Sequence, residues 1–142
     1  MSIELYVLFA MQDAPNLEEW NNALSERNIP VAITEQVDLS AHSGFLPMRL
    51  GNEETGLYFL IEDYADLAAN IPSLKEVSIE EPVVYSLGYG GRLEEGAAVF
   101  YSASALTAEF NGVAFEPQGA VFMNADTLLE AAKQLHQMAE SQ

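Results

Sequence analysis

Of the side chains that could take part in catalysis or metal binding, carboxylates are the most numerous in this chain. Its 142 residues hold 22 Asp and Glu against 5 Lys and Arg, a formal net charge of −17 at pH 7. Adjacent acids occur at Glu53-Glu54, Glu62-Asp63, Glu80-Glu81 and Glu94-Glu95. Paired carboxylates can act in acid–base catalysis or bind Mg²⁺. They are also typical of solvated turns and helix starts, so these pairs alone predict no catalytic or metal-binding residue.

The other groups needed for catalysis are scarce. His42 lies in a polar segment beside Ser43, and His136 lies outside the apolar stripe of the last predicted helix. Residues adjacent in sequence are poorly placed for one to deprotonate the other, as a hydrolytic triad requires. The chain has no cysteine, which excludes disulfides, thiolate metal sites and a cysteine nucleophile. We therefore predict two non-catalytic histidines, one in a loop and one at the surface, and no metal or cofactor.

A glycine-rich segment before a predicted helix is the nearest approach to a phosphate-binding loop. It comprises Gly88-Tyr89-Gly90-Gly91. It lacks the Lys-Ser/Thr ending of a P-loop, and Glu94-Glu95 at the helix start would repel phosphate. The segment is therefore predicted to be a plain strand-to-helix turn.

The net charge limits the classes of partner that this chain can bind. A strongly acidic surface attracts basic proteins and repels nucleic acid and anionic membranes. Glu supplies 17 of the 22 acids, and an acidic surface can also be a background property of the source organism. No segment approaches the roughly 18 apolar residues of a membrane span, and the start at Met1–Glu4 lacks the basic region of a signal peptide. The expected location is the cytoplasm.

Hydrophobic patterning predicts one α+β domain. Hydrophobic residues make up 49% of the chain, enough for a core in a domain of this size. Strands are predicted at 3–11, 30–36, 45–50, 55–61, 82–89, 113–115 and 120–123, and helices at 17–27, 64–69, 93–110 and after Asn124. Short hairpin links favour a mixed or mainly antiparallel sheet with helices packed on it. The order of elements suggests two βαββ halves, 1–75 and 76–142.

The middle of the chain is the candidate interaction site. Between Asp38 and Glu81, nine acids are opposed only by Arg49 and Lys75. An acidic rim around an exposed aromatic residue would suit a basic protein partner, although a solvated surface would have the same composition. The candidate partner-binding residues are Asp38, His42, Phe45, Glu53, Glu54, Glu62, Asp63, Asp66, Glu80 and Glu81.

Four segments carry a resemblance to known proteins: Ser2–Val7, Glu19–Leu24, His42–Pro47 and Glu54–Tyr58. Together they resemble the small acidic bacterial immunity proteins of interbacterial toxin systems. The resemblance covers about half of the chain and includes no catalytic motif. It implies a cytoplasmic inhibitor that plugs a toxin domain.

Three alternative functions follow from these observations, and they are given in order of preference. The first is a noncatalytic inhibitor of a basic toxin such as a nuclease, whose Lys and Arg residues hold phosphates. The second is a small-molecule-binding or regulatory domain with a ligand between its halves. The candidate liners of that pocket are Tyr85, Tyr89, Phe100 and Tyr101. The third is an enzyme that uses carboxylates and a metal, which requires a buried carboxylate cluster. The oligomeric state is not predicted.

Overall fold

The computed structural model describes residues 2–142, so Met1 lies outside the described residues. Seven strands and four helices occur in this described part of the chain. In chain order they are β1 Ile3–Ala10, α1 Leu17–Glu26, β2 Val31–Ile33, β3 Gly44–Leu50, β4 Glu53–Glu62, α2 Tyr64–Asn70, β5 Pro82–Tyr89, α3 Leu93–Glu109, β6 Val113–Glu116, β7 Val121–Met123 and α4 Ala125–Glu140. Short 3₁₀ turns lie at Met11–Asp13, Leu39–Ala41 and Pro72–Glu76.

The strands form one sheet in the order β2-β3-β4-β5-β1-β6-β7. Every neighbouring pair is antiparallel, which confirms the predicted α+β class. β1 pairs with β5 over its whole length and with β6 over Tyr6–Leu8. The first strands of the two predicted halves therefore pair with each other at the centre of the sheet.

One face of the sheet is covered by α1, α3 and α4, and we call it the covered face. Alternate residues of β1 point toward it, because successive side chains of a strand lie on opposite faces. Leu5, Val7 and Phe9 are buried there with Trp20 of α1 and Leu128 of α4. α3 approaches the sheet closely because most of its buried residues are Gly, Ala or Ser.

The other face is covered at one end only. Leu8 and Val84 are buried there against Ala68 of α2 and Leu74 of the following 3₁₀ turn. The rest of this face lies beyond the reach of α2, and we call it the open face. It is formed by Glu4, Phe45, Tyr58, Leu60 and Gly88, with Glu62 at its rim beside α2.

Three of the predicted helix starts are confirmed by capping hydrogen bonds. The Asn16 side chain accepts a hydrogen bond from the Glu19 amide at 2.8 Å, and Glu19 accepts one from the Asn16 amide at 3.0 Å, a complete capping box. Asp63 caps α2 by accepting a hydrogen bond from the Asp66 amide, and Asn124 caps α4 by accepting one from the Thr127 amide. Asn28, after α1, has a φ of 58°, a left-handed conformation that ends a helix.

Two predicted boundaries were wrong by more than one residue. The strand expected over 30–36 ends at Ile33, where the side-chain amide of Asn21 bonds both the N–H and the C=O of Ile33. The link between the strands predicted at 45–50 and 55–61 is shorter than expected, because Glu53 pairs with Leu50 and Glu54 pairs with Arg49 within the sheet. None of the helices within residues 2–142 combines the length and hydropathy needed to cross a bilayer.

Candidate functional site

The carboxylates are spread over the molecule and are not gathered in one patch. Exposed acids lie on α1 and α4 as well as in the middle of the chain. Glu53 and Glu54 begin β4 and Glu62 ends it, so this strand of 10 residues separates them by about 30 Å. The predicted partner-binding residues therefore do not lie together as one contact surface.

Five of those residues do share one end of the sheet. Glu62 ends β4 opposite Val84 of β5, and Glu80 and Glu81 come directly before β5. Asp63 and Asp66 lie at the start of α2, where the Asp63 side chain accepts a hydrogen bond from the Asp66 amide at 3.0 Å. Asp63 is thus a helix cap, while its neighbours are free to add negative charge to this end of the sheet.

Asp38 and His42 order the loop that leads into β3. Asp38 accepts hydrogen bonds from the Ser40 hydroxyl at 2.7 Å and the Ser40 amide at 3.0 Å, and these bonds lower the pKa of the Asp38 carboxyl. The Nε2 atom of His42 lies 3.0 Å from the Phe45 carbonyl oxygen. His42 therefore contacts the backbone of Phe45, while Asp38 caps the 3₁₀ turn that precedes it.

The open face exposes large apolar side chains. Phe45 is 41% exposed, Tyr58 52% and Leu60 37%. The rings of Phe45 and Tyr58, opposite each other on β3 and β4, lie 5.3 Å apart at 64°, a favourable edge-to-face geometry. Leu60 lies two residues after Tyr58 on the same face of β4, so the three side chains form one apolar strip on the sheet.

Two glycines shape this strip. At Gly56 a Cβ would lie 2.5 Å from the Leu46 carbonyl oxygen and 2.5 Å from the Phe45 ring, so the missing side chain lets that ring lie flat on β4. Gly88 stands in register between Tyr58 and Glu4. A Cβ there would lie 3.6 Å from the Cγ atom of Glu4, so this glycine stands between the aromatic strip and the acidic side of the open face.

A hydrogen-bonded pair sets the charge beside the strip. The Tyr6 hydroxyl donates to Glu4 Oε2 at 2.9 Å, and burial together with Glu4 raises the pKa of Tyr6. Burial and the charge of Glu4 also raise the pKa of Glu62. Because Glu4 and Glu62 repel each other, a cation placed at this rim would be favoured by both carboxylates.

The residues proposed to line a ligand pocket lie in packed surroundings. Tyr85 is buried between Phe9 and Phe59, with ring centroids 5.0 Å and 5.1 Å away. Its hydroxyl donates to the Pro15 carbonyl, and burial raises its pKa to about 12. Tyr85 is therefore a core residue of the covered face.

The other three pocket candidates pack around α3. Tyr89 contacts Phe100 with ring centroids 6.4 Å apart. Tyr101 is buried, and its hydroxyl lies 3.1 Å from Nδ1 of His136. The histidine expected at the surface is thus half-buried and joins α3 to α4. The hydroxyls of Tyr85 and Tyr101 thus have different partners within the fold, the Pro15 carbonyl and His136.

Metal binding gains no support from side-chain geometry. Within residues 2–142, no group of three or more Asp, Glu or His side chains has an arrangement that could hold a metal ion.

Sequence reasoning found Phe45 but missed Tyr58, Leu60 and Gly88. The alternation along β4 puts Leu57, Phe59 and Ile61 on one face, which implies that Tyr58 and Leu60 lie on the other. Comparison of this chain with family models, with curated proteins and with solved structures returned no match.

Proposed function

We propose that this chain is a noncatalytic cytoplasmic binding protein of the immunity type, which blocks a basic toxin domain, such as a nuclease, by covering it with the open face. One observation carries the proposal. It is the exposed strip of Phe45, Tyr58 and Leu60 with the carboxylates of Glu4 and Glu62 beside it.

The apolar strip supports a protein partner. Single exposed apolar residues are ordinary on a protein surface, but these three occupy neighbouring positions of two paired strands. Aromatic residues are enriched at protein interfaces and supply much of their binding energy. A sheet presents them already ordered, which reduces the entropy lost on association.

The charges support a basic partner. Glu4 and Glu62 lie on the same side of the sheet as the strip. Two cations also lie on that side, Arg49 at the far end of the strip in register with Glu54 and Lys75 in the 3₁₀ turn after α2. The net charge of −17 would steer a basic protein toward this molecule and could raise its association rate to about 10⁸–10⁹ M⁻¹s⁻¹ at low salt. Fast capture suits an inhibitor that must act before the toxin does.

Blocking follows from the same chemistry. A nuclease presents Lys and Arg side chains to the phosphates of its substrate. A partner that docks on the open face would place such cations against Glu4 and Glu62, where nucleic acid could no longer reach them. Acids elsewhere, such as those on α1 and α4, would add attraction at long range without making contact.

The test uses a basic protein encoded beside this chain's gene or captured from the source cells, purified and mixed with this protein. We expect the association rate to fall steeply between about 50 and 500 mM salt, where screening shortens the reach of charges. We expect Tyr58→Ala to weaken binding by about tenfold or more. The joint change of Glu4→Gln and Glu62→Gln should mainly slow association.

The matched controls lie on α4. Met138 is 54% exposed, so Met138→Ala removes a comparable exposed apolar side chain, and Glu130→Gln removes a charge. Neither should alter affinity by more than about twofold. The proposal fails if the α4 variants weaken binding as much as Tyr58→Ala, or if the association rate does not respond to salt.

A further inference from the structure

A cleft lies beside the β3–β4 hairpin, at the opposite end of β4 from Glu62. In the described part of the chain, β4 pairs with β3 along Glu53–Phe59 but with β5 only along Tyr58–Glu62. β5 ends at Tyr89, and the chain turns through Gly90 and Gly91 into α3. The hairpin therefore projects past β5 and leaves a cleft of about 610 Å³, which we call the hairpin cleft.

Each wall of the hairpin cleft carries one cation and one anion. Arg49 and Glu54, opposite each other in the sheet, line the hairpin wall. Arg92 and Glu95 line the wall formed by the start of α3. Two of the five basic residues of this chain thus meet at one cleft, although its surface is acidic elsewhere.

These charged groups are only loosely engaged within the protein. Arg49 donates to the Asn52 carbonyl at 3.4 Å, and Nε of Arg92 lies 4.0 Å from Glu94. Both distances are at or beyond the long end of hydrogen bonding. Glu95 accepts one hydrogen bond, from the Gly90 amide at 3.2 Å. Both guanidinium groups therefore retain donors for a ligand.

The rest of the lining is mixed. Phe45, Pro47 and Met48 supply apolar surface. Thr55 also lines the hairpin cleft, and its hydroxyl oxygen is buried without a hydrogen-bond partner among the described residues. Because this part of β4 has no strand beside it on the β5 side, backbone N–H and C=O groups also border the cleft.

We propose that the hairpin cleft binds a zwitterionic α-amino acid with an apolar side chain. Its carboxylate would lie between Arg49 and Arg92, and its ammonium group would face Glu54 and Glu95. The charges decide the class, since a phosphate would meet two carboxylates and a polyamine would meet two guanidinium groups. The volume lies within the range of small-molecule sites. This site does not depend on the proposed function.

The test is an amide NMR titration of isotopically labelled protein with L-leucine. Isocaproate, which lacks the ammonium group, and isopentylamine, which lacks the carboxylate, are titrated at the same ionic strength. We expect saturable shifts at the amides of Thr55 and Gly90 with leucine. Isocaproate and isopentylamine should each bind at least about tenfold more weakly than leucine, because each leaves one pair of charged side chains without a partner.

Variants locate the binding. Replacing both arginines, Arg49→Gln and Arg92→Gln, should weaken leucine binding by about tenfold or more. Arg27→Gln is the matched control and should leave binding unchanged. Arg27 does not line the cleft, and it pairs with Glu109 at a distance of 2.8 Å. The proposal is overturned if leucine gives no saturable shift, if isocaproate binds as tightly as leucine, or if the double variant binds like the unaltered protein.

Discussion

The two faces of the sheet carry the same kinds of residues, but these residues are packed in the core on one face and exposed on the other. Phe59 and Tyr58 are neighbours on β4, yet Phe59 is fully buried under the helices and Tyr58 is 52% exposed. On the covered face, aromatic rings pack against one another. On the open face, an equally apolar strip lies beside carboxylates. One strand therefore carries stability on one side and the candidate recognition surface on the other.

The acids divide in the same way. Those on α1 and α4 project from the outer surfaces of helices, where water screens them. Glu4 and Glu62 lie beside apolar side chains, and burial raises the pKa of Glu62. Charge count alone is therefore a poor guide to the site, and the neighbourhood of each carboxylate is a better one.

The largest expected effect separates Phe59 from Tyr58. Phe59→Ala should lower the free energy of unfolding by about 3–5 kcal/mol, because it leaves a cavity in the core. Tyr58→Ala should cost no more than about 1 kcal/mol, since it removes one exposed cross-strand pair. Chemical denaturation measures both. Equal losses would mean that the open face is part of the core, which would contradict the assignment of the two faces.

Local structure could be predicted from the sequence because its causes are local. Asn16 with Glu19, Asp63 and Asn124 mark helix starts through hydrogen bonds within three residues. The extent of β2 could not be predicted in this way. β2 lies at the edge of the sheet, and Asn21 of α1 reaches the backbone of its last residue, Ile33, only after the helix has packed on the sheet.

The candidate site was only partly predictable for a similar reason. Phe45 follows a polar loop and could be expected at the surface. The contribution of Gly88 depends on β5 lying between β4 and β1, which is a long-range pairing. Tyr85 could equally have lined a pocket or filled the core, and its contacts with Phe9 and Phe59 decided for the core.

Next in size is the hydroxyl of Tyr85 on the covered face. Tyr85→Phe should cost about 1–3 kcal/mol, because the buried Pro15 carbonyl loses its donor. The folded-state pKa of about 12 exceeds the ordinary value of 10.0, so this stabilisation is complete below pH 10 and is lost as the pH rises toward 12. Denaturation at pH 8 and at about pH 11 should show the two proteins converging. A constant difference would contradict this ionisation.

Adding one methyl group to each of the two glycines beside the aromatic strip should change the free energy of unfolding in opposite directions. Gly56→Ala should destabilise by about 1–3 kcal/mol, because its Cβ would lie 2.5 Å from the Leu46 carbonyl oxygen. Gly88→Ala should stabilise by about 0.5–1 kcal/mol, since its Cβ would meet nothing closer than 3.5 Å and alanine loses less entropy on folding. Thermal denaturation compares them. A loss at Gly88 as large as that at Gly56 would mean that the open face is closely packed.

The smallest effect concerns the carboxylate at the rim of the open face. Burial and Glu4 raise the pKa of Glu62 above its ordinary value of 4.5, so the folded protein binds this proton more tightly than the unfolded chain. The ionised carboxylate therefore costs stability at neutral pH, and this cost disappears as the pH falls through the raised pKa. At pH 7, Glu62→Gln should leave the free energy of unfolding unchanged or raise it by no more than about 0.5 kcal/mol, because water screens this carboxylate. The gain should vanish below about pH 4.5. Glu130→Gln on α4 controls for the loss of one negative charge from the whole molecule, and an equal gain there would show that total charge, and not the pairing with Glu4, determines the effect.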